Sequence, residues 1–235
     1  NISTRTRVID GRRAPEKGTL VGYGALVHHY QLAAPYPKVL CLISSGKRNY
    51  DKDNWRVFRE RYAFEDELYK HLVFALKYEG VDLLILKKLF AEISREEITS
   101  IIRQEMLGQY SRRIWFLYEW LMDEKLDIPD LKQGNLVPLI DEKIQYAIKG
   151  ASSPRHKVIS NLPGTRDFCP LIRKTEKLEK YIQSDIRKQK SAYLERIHRD
   201  VLQRTSAYLL LKDSKASFTI EGEKPRSNRA VRWGN

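Results

Sequence analysis

Between Glu65 and Leu121 apolar side chains recur every three to four residues, and this period constrains the fold more than any other feature of the chain. Leu68, Leu72, Ala75 and Leu76 share one face of an amphipathic helix over Glu65–Glu79, which Gly80 is well suited to end. Val81, Leu84, Ile85 and Leu89 make a second helix. A third covers Glu96–Met106, and Ser94 with Glu97 supplies a capping box for its start. Ile114, Leu117, Tyr118 and Leu121 make a fourth.

The flanking sequence is read against these helices. Residues 1–17 carry five basic side chains with Gly11 and Pro15, and are expected to form a basic, extended arm. Leu20–Leu32 is a short helix interrupted by Gly22 and Gly24. The runs 38–44 and 54–62 have strand character, joined by the polar stretch 45–53. Residues 18–122 therefore read as one α/β-to-helical domain. Residues 123–168 hold Pro129, Pro138, Pro154 and Pro163 with several glycines, the composition of an irregular connector. Helical periodicity returns over 169–235 through Leu171, Leu178, Ile182, Leu194, Ile197 and Val201. The expected fold class is mainly α: bundle-like helical regions with a small N-terminal α/β piece.

Composition limits the chemistry. No apolar run reaches about 18 residues without a charge, so no membrane span is expected. Cys41 and Cys169 are the only cysteines, which excludes a disulfide scaffold and points to a cytoplasmic protein. Cys41 lies in an apolar strand and reads as a core residue. No Gly-x4-Gly-Lys phosphate loop occurs, and Gly22-Tyr-Gly24 lacks the third glycine of a dinucleotide fingerprint. His28 and His29 would point about 100° apart on a helix, poor geometry for sharing a metal. Asp51-Lys-Asp53-Asn54 opens like a calcium loop but carries Arg56 where a glycine must sit, so it is read as a turn. Neither a catalytic nor a metal-binding constellation is expected in this chain, nor a bound cofactor.

The net charge of +13 is uneven, with 16 Lys and Arg against 8 Asp and Glu from Leu171 to Asn235. Such a surplus serves either a nucleic-acid surface or helices that dock on an acidic neighbour. A helix-turn-helix over Val81–Met106 is opposed by its second helix, where Glu96, Glu97 and Glu105 outnumber Arg95 and Arg103. Arg112 and Arg113 just beyond are the candidate nucleic-acid contacts. A DNA-binding or antitoxin-like module is thus the alternative to the reading that follows.

Near the end of the chain one stretch breaks a local rule. Gly222 and Pro225 place a helix stop near Glu221, and Ser217 shares a helix face with Glu221. A carboxylate in a final helical turn opposes the macrodipole, which favours cations there. Held beside a glycine that permits close approach, it is suited to meet a cation such as arginine.

These residues carry a resemblance. Ser217-Phe-Thr-Ile-Glu221-Gly222 is similar to the inhibitory pattern of Fic-family AMP-transferases: Ser or Thr, three residues, Glu, then Gly or Asn. Tyr78-Glu-Gly-Val-Asp82, the run Tyr110–Leu121, Asn161-Leu-Pro-Gly-Thr165, Asp167-Phe-Cys-Pro170 and Leu209-Leu-Leu-Lys-Asp-Ser214 also resemble the region before the catalytic core of long bacterial Fic proteins. The resemblance covers the chain from about Gly18 onward. It implies a core bearing His-Pro-Phe-x-x-Gly-Asn-Gly-Arg that uses ATP and Mg²⁺ to transfer AMP to a hydroxyl of a target protein. It also implies that Glu221 is the inhibitory carboxylate, that Ser217 steadies the helix and that Gly222 permits close approach. None of the five histidines precedes Pro-Phe, so the catalytic motif is absent here. The start at Asn1 and Trp233 lying two residues from the end lead to the expectation that this is the non-catalytic, regulatory portion of a longer polypeptide. Its partner would be a Fic core, in the same polypeptide or another.

Overall fold

The chain opens with a hairpin, β1 (Val8–Ile9) and β2 (Arg12–Arg13). Asp10 and Gly11 both have positive φ, the tight-turn geometry that an Asp-Gly pair favours. The expected basic arm is thus folded, and Ile2 and Ile9 are buried in the core.

β3 (Thr19–Val21) runs directly into α1 (Gly22–His29), so the expected helix gives up its first residues to a strand. β4 (Leu40–Ser44), β5 (Tyr50–Lys52) and β6 (Trp55–Arg59) complete a sheet in the order β3-β4-β6-β5. β4 and β6 are parallel, with Leu42 beside Val57, and the other pairs are antiparallel. Asp53 and Asn54 form the β5–β6 turn, both at positive φ, so the calcium-like stretch is a hairpin turn.

One face of this sheet, through Leu20, Leu40, Leu42, Trp55 and Val57, joins the main core. The other, through Val21, Cys41, Ile43 and Phe58, is covered by Phe74 with Tyr62, Phe64 and Tyr78. Burial raises the Cys41 thiol pKa well above its ordinary value.

Four helices follow: α2 (Leu68–Phe74), α3 (Leu83–Glu92), α4 (Arg95–Gln104) and α5 (Gln109–Met122). A π-helical turn at Ala75–Glu79 ends α2, and Gly80 stops it at a φ of 84°. Ser94 caps α4 by accepting the Glu97 N–H. α5 packs on both α3 and α4 and buries Ile114, Trp115 and Leu117.

The stretch 123–168 is not an irregular connector. It contains β7 (Val137–Pro138), β8 (Ala151–Ser153) and β9 (Val158–Ser160), a sheet in the order β7-β9-β8. It also buries Leu126, Ile128, Leu139, Ile140 and Val158 in the main core. Residues 1–174 form one compact unit, and the second begins at Thr175. Among the described residues helices account for 42% and strands for 15%, in three sheets, so the fold is mixed α/β and corrects the expected mainly α arrangement. Strands of two or three residues are too short to show a period of two, and their prolines and glycines read as loop.

The second unit contains α6 (Glu176–Gln183), capped by Thr175, and α7 (Arg199–Ile220). The computed structural model describes residues 1–5, 7–184, 190–191 and 199–220. No helix among them is long and apolar enough to cross a membrane.

Candidate functional site

α7 spans 22 residues, about 33 Å at the usual rise, and carries Ser217 in its last turn. Ser217 is exposed, and two residues later the Thr219 hydroxyl donates to the Lys215 carbonyl 2.8 Å away. Tyr208, Leu209, Leu210 and Ile220 also stand exposed, Ile220 by 87%. Leu209, Leu210 and Tyr208 are adjacent in sequence, so apolar surface surrounds much of the helix instead of one stripe. Glu221 and Gly222, the expected inhibitory carboxylate and its glycine, lie outside the described residues.

The two candidate nucleic-acid contacts are indoors. Arg112 and Arg113 are each 6% exposed. Arg112 donates to the carbonyls of Asn135 (2.7 Å) and Lys157 (3.2 Å), holding the β7 and β9 approaches against α5. The Arg113 guanidinium lies over the Tyr110 ring, 5.2 Å from its centroid. Burial lowers both pKa values. Such side chains hold the fold and present no charge to a phosphate backbone.

Two polar clusters escaped the sequence reading because their members are far apart in the chain. The first is centred on Glu119 of α5. Its carboxylate accepts from Arg155 (2.9 Å), Trp115 Nε1 (2.8 Å) and the Leu126 N–H (2.9 Å), and pairs with His156 Nε2 at 3.0 Å. Ser153 Oγ lies 2.8 Å from His156 Nδ1. Burial pushes the Glu119 pKa up, but the bonds from Arg155, the Leu126 N–H and Trp115 together outweigh it and hold the carboxyl below its ordinary value. Burial also lowers His156, despite Glu119. The neutral ring therefore donates from Nε2 to Glu119 and accepts the Ser153 hydroxyl at Nδ1. This order of Ser, His and carboxylate resembles a proton relay. However, His156 is enclosed by the rings of Trp115 and Phe116, and both its nitrogens are engaged within the fold. It is a clasp between α5 and the β8–β9 hairpin.

The second cluster surrounds the start of α1. Glu79 Oε2 accepts the Tyr23 N–H at 2.9 Å, and His71 Nδ1 accepts the Gly22 N–H at 3.2 Å. These bonds satisfy N–H groups that a helix start leaves without an internal partner. Gly22 sits at a φ of 67°, and a Cβ there would fall 1.8 Å from Glu79 Oε2. The Tyr23 hydroxyl donates to the Gly80 carbonyl, and Arg173 donates to the carbonyl of Glu79. Glu79 Oε1 is buried without a hydrogen-bond partner, and burial pushes the carboxyl pKa up to about 8. His71 Nε2 in turn meets Asp66 at 2.9 Å. Burial opposes ionisation of Asp66, yet its bonds to His71 and Ser3 bring it down to about 2.

Among the described residues no group of three or more His, Cys, Asp and Glu is placed to hold a metal ion. Compared with known proteins, the chain matches no family model, no curated protein and no solved structure.

Proposed function

We propose that this chain is the regulatory portion that precedes the catalytic core of a Fic-type protein AMP-transferase, restraining that core through Glu221. The observation that supports the reading most is the seat of the Ser217–Gly222 pattern. Ser217 falls in the last turn of a long helix, and the helix carries exposed apolar side chains for which docking on a further surface is the natural use. The sequence blocks before it support the same assignment.

In this reading, α7 delivers Glu221 to the final arginine of the core motif. A carboxylate and a phosphate compete for one guanidinium fork, so pairing with Glu221 denies the arginine to the γ-phosphate of ATP. The core supplies the chemistry with ATP and Mg²⁺, and this chain supplies restraint and no catalytic residue. Both cysteines are free, which fits a reducing, cytoplasmic setting. The DNA-binding alternative is not carried further, since its two named contacts are buried.

The test has two steps. Reading the coding sequence past Asn235, or that of a neighbouring chain, should reveal His-Pro-Phe-x-x-Gly-Asn-Gly-Arg. In a protein holding both parts, Glu221→Gly should then raise AMP transfer from α-labelled ATP by at least about tenfold, a change of about 1.4 kcal/mol in the barrier. An unchanged rate overturns the inhibitory role.

A further inference from the structure

At one end of the four-stranded sheet the two parallel strands finish side by side, Ser44 of β4 beside Arg59 of β6. Beyond them the chain turns away through Ser45 on one side and Glu60 on the other. The first residues of the chain run along the free edge of β3, where the Thr4 carbonyl accepts the Leu20 N–H. Two adjoining hollows open between these segments, of about 600 and 410 Å³, and share Arg5, Thr19, Ile43 and Ala63. Crevices outside the carboxyl ends of parallel strands are common ligand sites, and these volumes suit a small molecule.

The two hollows differ in chemistry. The larger is lined by Arg5, Arg7 and Lys17 with the hydroxyl-bearing Ser44, Ser45 and Thr19. None of the three cations is in an ion pair among the described residues. Of the two acids there, Glu16 is engaged, accepting the Ser44 hydroxyl at 2.5 Å. Glu60 is exposed, so three cations face two carboxylates in this hollow. The smaller hollow adds Phe64, Ser3 and Asp66. Phe64 is half-buried, held edge-on by His71 and tilted against Phe74, and still borders the space. The Asp66 side chain is 29% exposed beside it, with lone pairs for a hydroxyl or amine.

We infer that this cleft binds a nucleoside phosphate, with the phosphates between Arg7, Lys17 and the Ser44–Ser45 turn, Arg5 bridging, and the base against Phe64. Cations and hydroxyls without an aromatic neighbour would fit inorganic phosphate equally. The aromatic ring and carboxylate one hollow away favour a ligand that joins an anionic end to a flat, donor-bearing one. The inference does not depend on restraint by Glu221, and it is read on this chain alone.

Calorimetric titration of the whole chain with ATP, AMP and pyrophosphate, at about physiological ionic strength, tests it. ATP should bind saturably. Arg7→Glu combined with Lys17→Glu should weaken ATP at least about tenfold; both side chains are exposed, so folding is spared. Phe64→Leu, which keeps apolar volume beside Phe74, should weaken ATP several-fold and leave pyrophosphate unchanged. No saturable binding of ATP overturns the site, as does ATP binding that neither variant alters. Pyrophosphate binding as tightly as ATP overturns the nucleoside assignment. Circular dichroism of each variant, matched to the parent, assigns any loss to the cleft.

Discussion

Glu79 is a buried acid whose carboxylate does structural duty at the start of α1. Tyr23 and Asp82 face it from α1 and the approach to α3, Arg56 and Cys41 from the sheet, and Arg173 from the end of the first unit. Its pKa of about 8 lies above the ordinary 4.5. Between those values the unfolded chain has released its proton while the folded chain keeps it. Ionisation therefore pulls toward the unfolded state, and stability falls as pH rises, at about 1.4 kcal/mol per pH unit for one proton. Glutamine still offers Tyr23 an acceptor but does not titrate. The stability of Glu79→Gln relative to the parent should thus rise steadily from pH 5 to pH 8, by a few kcal/mol in all. Urea denaturation of both proteins across that range measures it, and a constant difference would refute the assignment. The buried histidines act in the opposite sense. Their lowered pKa values mean that stability is lost as pH falls below about 6.5, so they affect both proteins alike and cancel.

Among elements, the helices were the most legible part of the sequence. α3 and α4 each bury one side of a period of 3.6, α5 is buried all round from Ser111 to Tyr118, and the Ser94 cap lies where its side-chain chemistry demands. The strands of 123–168 were not legible, because β7, β8 and β9 have two or three residues each and are held by tertiary contacts. What fixes them is the clasp on Glu119, whose partners come from 36 and 37 positions further along the chain. No local pattern announces such a pairing. The same holds for Arg112, whose spacing beside Arg113 looks like a surface pair until the fold closes over it. Removing one side of a buried ion pair costs more than the pair contributes, since the remaining charge is stranded. Glu119→Ala leaves His156 without its carboxylate and Arg155 with Asp130 and the Leu126 carbonyl alone, and should cost up to about 3–5 kcal/mol. Chemical denaturation would record it, and hydrogen exchange should show the loss of protection first over 126–160. A cost below about 1 kcal/mol would mean that the clasp is ornamental.

At the scale of the molecule the two units differ in what holds them. The buried apolar side chains among the described residues run from Ile2 to Leu162, within the first unit. α6 buries none of its residues, and α7 exposes Tyr208, Leu209 and Leu210. Isolated helices are marginal in water, so the second unit draws little stability from its own packing. The boundary follows a short pairing of Gln145 with Arg173 and the Lys174 N–H bond to Ile144, which tie the end of the first unit down. A fragment of residues 1–174 keeps both of these and the whole core. It should unfold cooperatively with a midpoint within about 3 °C of the intact chain, since a shift of that size corresponds to less than about 1 kcal/mol. The complementary fragment, 175–235, should melt without a cooperative transition and gain helix only when an apolar partner surface is supplied. A large fall in the midpoint of 1–174 would instead show that α6 and α7 stabilise the first unit. They could not then be free to spend their apolar side chains on a core elsewhere, and the restraint assigned to Glu221 would lose its physical basis.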